Sequence, residues 1–199
     1  MTRPPILLDI PESFESERLL IRAPGAGDGP VLQEAIEESL AELRPWMPWA
    51  DEHQTADVSE AYARRARSEF AARTNLPLFL FRRDDGRFVG GSGLHRIVWE
   101  VPVFEIGYWV RTSLTGQGYA SEAAMRIAEF AFADLHAERV EIWCDAGNGR
   151  SASVARRAGF ELEATMRRNR RNAAGELTDS LCFVRLRNPQ DWASDPAES

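Results

Sequence analysis

The segment VFEIGYWVRTSLTGQGYASEAAMRIAEFAFADL, residues 103–135, constrains the fold more than any other part of the chain. It begins with a predicted strand, continues through a loop that contains Gly116 and Gly118, and from Ser121 onward repeats apolar residues with helical spacing. A loop between a strand and a helix directs backbone N–H groups and the positive end of the helix dipole toward one point. The segment therefore predicts an anion-binding loop and leaves open which anion it binds.

The residues around this segment predict a single α+β domain. Before it we expect, in order, a strand at 17–23, a helix at about 28–43, a helix at 55–73 and antiparallel strands at 77–83, 88–94 and 95–100. Asp85 and Gly86 give the strongest hairpin signal among these strands. After it we expect a strand at 138–144, a helix at 148–159 and a final strand pair at 160–167 and 179–187. The domain then spans 1–199, with a core at about 14–188 and a loose tail at 189–199.

Composition excludes several kinds of site. All 24 basic residues are arginine, so a Walker-type phosphate loop, a Schiff-base lysine and a pyridoxal site are all impossible. The three histidines are scattered without metal-ligand spacing, so we predict no metal site. A net charge of −7 argues against nucleic-acid binding, although local basic patches are compatible with it.

The chain also has no membrane or secretion signal that we can identify. Its apolar runs are far shorter than the roughly 20 residues that span a bilayer, and the opening MTRPPILLDIP has too short an apolar run for a signal peptide. We therefore expect a cytoplasmic protein without a membrane partner. Cys144 and Cys182 both lie in strand-like runs, where we expect them to be buried and reduced.

The loop is also a poor dinucleotide site. A Rossmann fingerprint requires a third glycine inside a parallel βαβ unit, whereas this chain has Ser121 at that position and antiparallel strands ahead of the loop. The pyrophosphate of coenzyme A is the remaining candidate ligand of the loop.

Several motifs then identify the chain as similar to the GNAT superfamily of N-acyltransferases, and more narrowly to protein N-terminal acetyltransferases of the RimJ/RimL type. They occur in the family's order over nearly the whole chain, as SERLLIR, LRPWMPW, EIGYWV, GQGYASEA and NGRSASVARRAGF. The resemblance implies the GNAT fold, a mostly antiparallel mixed sheet flanked by helices and splayed open in the middle. It also implies that acetyl-CoA binds in the gap and that no metal is needed.

The resemblance assigns cofactor-binding roles to residues of the loop, the preceding strand and the last helix. The pyrophosphate is expected on the amides of the loop and of the helix start, and the pantetheine is expected beside the strand. These residues are Trp109, Val110, Arg111, Gly116, Gln117, Gly118, Tyr119, Ala120, Ser121, Asn148 and Ser151. Thr115 departs from the Gln or Arg that many members carry there, and we expect Arg111 or Arg150 to offset the loss.

Two residues are the candidate catalytic groups. The resemblance places Glu105 of EIGYWV near the acceptor amine, where it acts as a base, although a carboxylate on an exposed strand face is also ordinary. It places Ser151 near the thioester sulfur. A serine hydroxyl is a far weaker acid than a thiol, so we expect Ser151 to stabilise the thiolate by a hydrogen bond. Asn148 and Ser151 also suit helix capping.

The acceptor side is less defined by the sequence. Trp46 and Trp49 are candidates for peptide recognition or for core packing. The arginines at 167, 168, 170 and 171 either lie in a solvated turn or attract an acidic acceptor. An α-amine has a pKa of about 7.7 to 8.0 against about 10.4 for lysine, so a modest base suits an N-terminal amine better.

We therefore predict an acetyl-CoA-dependent N-acetyltransferase whose acceptor is a protein N-terminus, such as that of a ribosomal protein. The alternatives are a small-molecule amine acceptor (an amino acid, polyamine or antibiotic) and a non-catalytic CoA-binding sensor. A homodimer that packs through the predicted C-terminal strands is compatible with the sequence.

Overall fold

A computed structural model describes residues 4–50, 55–172 and 175–187, which form one mixed sheet and four α-helices. The helices are α1 (Gly29–Leu43), α2 (Ala56–Ala72), α3 (Tyr119–Asp134) and α4 (Gly149–Arg157). The strands are β1 (Ser13–Glu15), β2 (Leu19–Arg22), β3 (Leu76–Arg82), β4 (Phe88–Val98), β5 (Val103–Val110), β6 (Arg139–Asp145), β7 (Glu161–Arg171) and β8 (Leu177–Leu186). Their order in the sheet is β1-β2-β3-β4-β5-β6-β8-β7. No helix of these ranges is long and apolar enough to cross a bilayer.

The sheet splits between β5 and β6, the one parallel pair in its described order. These strands are paired from Val103 with Arg139 as far as Glu105 with Glu141. Beyond that point β5 runs on to Val110 and β6 to Asp145 without pairing to each other. The expected splayed, mostly antiparallel sheet is therefore confirmed, and the gap opens immediately after Glu105.

Helices cover both faces of the sheet. Side chains of a strand alternate between faces, and in β3 Leu78 and Leu80 belong to one apolar cluster whereas Phe79 belongs to another. The larger cluster contains Ile127 of α3 and lies on what we call the α3 face. The smaller cluster contains Ile36 of α1 and lies on what we call the α1 face. The gap between β5 and β6 is thus flanked by a different helix layer on each side.

Most of the expected elements are confirmed, with local differences. Thr55 caps α2, because its Oγ1 accepts a hydrogen bond from the amide of Val58 at 3.2 Å. Asp28 precedes α1, but its carboxylate bonds Arg22 instead of the helix amides, at 2.6 and 2.8 Å. The two strands expected at 88–94 and 95–100 are one strand, β4, whose bulge follows His95. β1 was not expected, and the tail at 189–199 lies outside the described residues.

Candidate active site

The loop between β5 and α3 has the backbone of an anion-binding turn. Gly116 and Gly118 have φ angles of +75° and +86°, which side-chain-bearing residues rarely adopt. α3 begins directly afterwards, two residues earlier than expected, at Tyr119. Within the described residues, the amides of 116–121 donate to no protein acceptor, whereas the amide of Glu122 already bonds the carbonyl of Gly118 at 3.0 Å. The loop therefore offers a set of unused donors at a helix N-terminus.

The first half of the loop is held by α1. The Arg111 guanidinium is buried and bonds Glu34 at 2.6 Å and Glu38 at 2.8 Å. Glu38 also accepts from the amide of Ser113 at 2.7 Å, and the Arg111 hydrogen bond is the main reason that the pKa of Glu38 falls to about 2. Arg111 is thus committed to fixing the loop, and its charge is already balanced by protein carboxylates.

The second half of the loop is held by Arg18, which sequence reasoning did not select. Its guanidinium donates to the carbonyl of Gln117 at 3.0 Å and to Glu122 at 2.6 Å, and it lies over the Tyr119 ring at 4.6 Å. Ser16 donates to the same Glu122 carboxylate at 2.7 Å. The motifs SERLLIR and GQGYASEA, which are far apart in the sequence, are therefore in contact at this point.

Positive charge next to the loop comes from α4. Arg157 donates from Nε to Oγ of Ser121 at 3.2 Å, beside the first turn of α3. Its guanidinium has no carboxylate partner among the residues that the structure describes. Arg150, one of the two arginines expected to offset Thr115, is exposed at the start of α4. Arg157 and Arg18 therefore contact the second half of the loop and the start of α3, whereas Arg111 contacts α1.

The strand ahead of the loop presents its backbone to the gap. The amide of Arg111 bonds the carbonyl of Val89 at 2.8 Å, so this residue is paired with β4. Since the hydrogen-bonding direction alternates along a strand, Val110 and Tyr108 point their N–H and C=O groups the other way, toward the unpaired side. Trp109 directs its indole over β4, where a Cβ added at Gly91 would lie 2.6 Å from Nε1. Of the three predicted residues, Val110 is the one whose backbone faces the gap.

A polar cluster lies on the α3 face of the gap. The Tyr108 hydroxyl is 3.0 Å from Oγ of Ser151 and 3.1 Å from its carbonyl oxygen, and burial raises the pKa of Tyr108 to about 12. Asn148 caps α4, because its Oδ1 accepts from the Ser151 amide at 3.0 Å. Cys144 is buried, and burial raises the pKa of its thiol, which nearby Ser151 partly opposes. The Ser151 hydroxyl is therefore held by Tyr108 and not used for capping.

Glu105 lies on the opposite face of the same gap. Phe104 and Ile106 point to the α3 cluster, so the alternation of β5 turns Glu105 to the α1 face. Its side chain is 19% exposed and accepts a hydrogen bond from Arg96 at 3.0 Å. Burial is the main cause that raises the pKa of Glu105 above its ordinary value, and Arg96 partly opposes it. A half-buried carboxylate with a raised pKa is a more effective base near neutral pH.

The two tryptophans of LRPWMPW lie on the α1 face. Trp49 contacts Trp109 with ring centroids 5.8 Å apart. Trp46 reaches the turn between β6 and α4, where a Cβ added at Gly147 would lie 4.0 Å from its ring. Both are about two-fifths exposed, and their contacts are with β5 and with the turn after β6, the two strands that flank the gap.

Sequence reasoning missed Tyr108, Arg18 and Arg157. Tyr108 was detectable, because its strand position puts it on the face opposite Glu105 and within the quoted motif EIGYWV. The roles of Arg18 and Arg157 depend on contacts between residues 36 or more positions apart, for which the local sequence carries no signal. No cluster of three or more metal-binding side chains occurs among the described residues.

Comparisons with known proteins agree on one family. The profile described as the acetyltransferase (GNAT) domain matches residues 18–161. YdaF of Bacillus subtilis (strain 168), named as a candidate ribosomal N-acetyltransferase, is 29% identical over 153 residues, which cover 76% of this chain and 82% of YdaF.

Two solved structures show the same fold. The ribosomal L7/L12 α-N-protein acetyltransferase RimL, in complex with coenzyme A, superimposes with a TM-score of 0.80 at 22% identity, over 89% of this chain and 97% of RimL. RimJ of Mycobacterium smegmatis, in complex with CoA-disulfide, superimposes with a TM-score of 0.77 at 23% identity, over 84% of this chain and 81% of RimJ.

Proposed function

Because the chain belongs to the acetyltransferase (GNAT) family, we propose that it moves the acetyl group of acetyl-CoA onto the N-terminal α-amine of a protein, with ribosomal proteins as the first candidates. One observation carries the proposal. Glu105 lies on the α1 face and the Tyr108–Ser151 pair on the α3 face of the same gap in the sheet. A base and a hydrogen-bonding pair on opposite sides suit an amine and a thioester that meet in the gap.

The loop and the gap fit acetyl-CoA. The unused amides of 116–121 suit the pyrophosphate, and the positive φ of Gly116 and Gly118 lets the backbone approach it closely. Arg157 supplies local positive charge that an acidic protein needs in order to hold a polyanion, whereas Arg18, which pairs with Glu122, holds the loop in place. The exposed backbone of Val110 suits hydrogen bonds to the amides of the pantetheine.

Glu105 takes a proton from the acceptor amine in this proposal. Acetyl-CoA supplies an activated thioester, so the amine needs only to be neutral in order to attack. An α-amine with a pKa of about 7.7 to 8.0 is neutral in a substantial fraction near pH 7.5, and a modest base acting directly or through one water suffices. The raised pKa of Glu105 brings it closer to that of the amine.

Ser151 and Tyr108 stabilise the leaving thiolate. A phenol with a pKa of about 12 keeps its proton at neutral pH, and so does a serine hydroxyl, so neither group transfers a proton completely to a thiolate of pKa near 8.5. Ser151 donates a hydrogen bond to the sulfur instead, and Tyr108 supports Ser151. When Tyr108 donates to Ser151 Oγ, the serine proton is free to point at the sulfur.

Two further points support a protein N-terminus as the acceptor. The relatives include one named for ribosomal N-acetylation and one named as an α-N-protein acetyltransferase. In this chain, the exposed rings of Trp46 and Trp49 border the α1 side of the gap, where they suit contact with an extended peptide.

The test is an acetyl-CoA thiol-release assay with two matched peptides. One has a free N-terminus and no lysine, and the other has a blocked N-terminus and one lysine. We expect release with the first and little with the second. Preference for the blocked peptide, or for free amino acids and polyamines over both peptides, would contradict the protein N-terminus as acceptor. Stabilisation by acetyl-CoA without release from any amine would indicate a sensor.

A further inference from the structure

Arg170 differs from the other arginines of its strand. It is half-buried, whereas Arg167, Arg168 and Arg171 are exposed. The reason is a bulge in β7. Met166 pairs with Ser180 and Arg170 with Thr178, so three residues of β7 lie opposite a single residue of β8. Arg168 within the bulge has a φ of +51°, and its amide bonds the carboxylate of Asp179 at 2.8 Å. The bulge changes the direction in which Arg170 leaves the strand.

The Arg170 guanidinium also forms no ion pair with a carboxylate of the described residues. The neighbouring cations of the α1 face are paired, Arg96 with Glu105 and Arg139 with Glu141 and Glu163. Over residues 4–50, 55–172 and 175–187, the Arg170 side chain has neither an ion pair nor a hydrogen bond. A half-buried guanidinium is costly without a partner, and this chain has seven more acidic than basic residues to supply one. A half-buried arginine that has no such partner among the described residues is suited to a carboxylate of a bound ligand.

The position of Arg170 is close to the chemistry. Arg170 pairs with Thr178 of β8, two residues from Ser180, which pairs with Asp145 at the end of β6, in the stretch of β6 that no longer pairs with β5. The charge of Arg170 also partly opposes the burial that raises the pKa of Glu105 and of Cys144. Glu105 is the last residue of β5 that pairs with β6, and Cys144 lies in the stretch of β6 beyond that pairing. Arg170 therefore lies toward the end of the sheet where β5 and β6 separate, within electrostatic reach of Glu105 and Cys144.

We propose that Arg170 binds a carboxylate of the acceptor, on the first or second residue counted from the amine that is acetylated. This rests on the proposed function and narrows it to acceptors that are acidic at their N-terminus. A guanidinium binds a carboxylate through two parallel hydrogen bonds, and consecutive residues of an extended peptide advance about 3.3 to 3.6 Å. A carboxylate on the first or second residue can then be held while the amine enters the gap. The α-carboxylate of a free amino acid has the same chemistry.

The experiment compares acid and amide versions of one peptide. Wild type and Arg170→Gln are assayed with lysine-free peptides that have Asp or Asn at position 2, and Glu or Gln at position 1. Free aspartate and glutamate form a separate arm. Arg167→Gln, an exposed neighbour in the same arginine run, is the matched control, and thermal unfolding checks that each variant is folded.

We expect wild type and Arg167→Gln to favour the acidic peptides by about tenfold or more in kcat/KM, because even one hydrogen bond between charged groups has an effect of that order. In Arg170→Gln the ratio falls close to one, through a higher KM for the acidic peptides only. Arg170→Lys keeps the charge without the planar fork and retains part of the preference.

The outcomes separate this inference from the proposed function. If wild type acetylates acidic and neutral peptides equally, or if Arg170→Gln leaves the ratio unchanged, the carboxylate site is overturned while the peptide acceptor stands. If Arg170→Gln alters the pH profile but not the preference for acidic over neutral peptides, the carboxylate site is also overturned, because Arg170 then acts only on Glu105. If peptides are inert and free aspartate reacts in an Arg170-dependent way, the carboxylate site stands and the peptide acceptor falls. Absence of turnover with every acceptor overturns both.

Discussion

The hydroxyl of Tyr108 on β5 lies 3.0 Å from the hydroxyl of Ser151 on α4, and 3.1 Å from the carbonyl oxygen of the same serine. A phenol has one proton and can donate it to one of these two oxygens at a time. If the carbonyl receives it, the serine must donate to the phenol, and its own proton is then unavailable to a thiolate. Catalysis therefore requires the arrangement in which Tyr108 donates to Ser151 Oγ.

Removing the Tyr108 hydroxyl is expected to slow turnover without weakening cofactor binding. Tyr108→Phe keeps the ring and loses the donor, so we expect kcat to fall about tenfold while the KM for acetyl-CoA changes little. Ser151→Ala should lower kcat at least as much. Because the two groups act as one unit, the double variant should be little worse than Ser151→Ala. Tyr62→Phe on α2 is the matched control, and additive losses would contradict a shared role.

Neutralising Glu105 is expected to change the pH dependence of the reaction. Burial raises the pKa of Glu105, so wild-type kcat/KM should decline as the pH falls through that raised value and the base is protonated. Glu105→Gln should lose about 10²-fold between that pH and about pH 8. At higher pH the α-amine is neutral without help, and the deficit should shrink.

The control for this variant is Glu163→Gln, which removes an exposed carboxylate that pairs with Arg139. Initial rates with a lysine-free peptide from pH 5.5 to 9.5 give both profiles. A profile of Glu105→Gln parallel to that of wild type would exclude Glu105 as the base.

Alanine at Gly116 should weaken the cofactor loop through backbone strain alone. No heavy atom lies within 4 Å of a Cβ added there, but the φ of +75° costs a side-chain-bearing residue roughly 1–2 kcal/mol. We expect lower stability and a higher KM for acetyl-CoA. Gly27→Ala, at a φ of +94° in equally open space before α1, should lose similar stability and leave the KM unchanged. Equal KM values for the two variants would show that the loop does not bind the cofactor.

Arg157 is expected to contribute to acetyl-CoA affinity by its charge. Its guanidinium lies beside Ser121 and is exposed, so Arg157→Gln should raise the KM for acetyl-CoA about fivefold at low salt, with kcat nearly constant. The difference from wild type should shrink in 0.5 M NaCl because salt screens exposed charges. Arg156→Gln changes the adjacent arginine, which stacks on Phe183 instead, and should bind acetyl-CoA normally.

The sequence was sufficient where local patterns decide the structure. Helical spacing and the Thr55 cap fix α2, and the glycines of the loop fix an unusual backbone. It was insufficient where distant segments meet. Alternation along β5 predicts that Glu105 and Tyr108 face opposite sides, but only the pairing with β6 shows that both flank a gap.

The arginines illustrate the same limit. Twenty-four of them are indistinguishable by residue type, and their roles follow from which carboxylates the fold brings near. Arg111 was expected to offset Thr115, but it is neutralised by Glu34 and Glu38 of α1. Arg157 has no such partner among the described residues and remains available to a phosphate. Ion pairs between residues more than 70 positions apart cannot be inferred from periodicity.

The Arg111–Glu38 pair should make the stability of the protein sensitive to acid. The pKa of Glu38 is about 2 in the folded protein, against 4.5 for a free side chain, so its ionised form stabilises the fold above pH 4.5. That stabilisation is lost as the pH falls from about 4.5 toward 2. Glu38→Gln should be less stable than wild type at pH 7 by about 1–3 kcal/mol, because buried Arg111 keeps only Glu34. Urea unfolding at pH 7, 4.5 and 3 should show the difference narrowing with acid. Glu37→Gln, on the exposed side of α1, should be as stable as wild type at each pH. A stability difference between Glu38→Gln and wild type that is the same at all three pH values would show that the Arg111–Glu38 pair does not cause it.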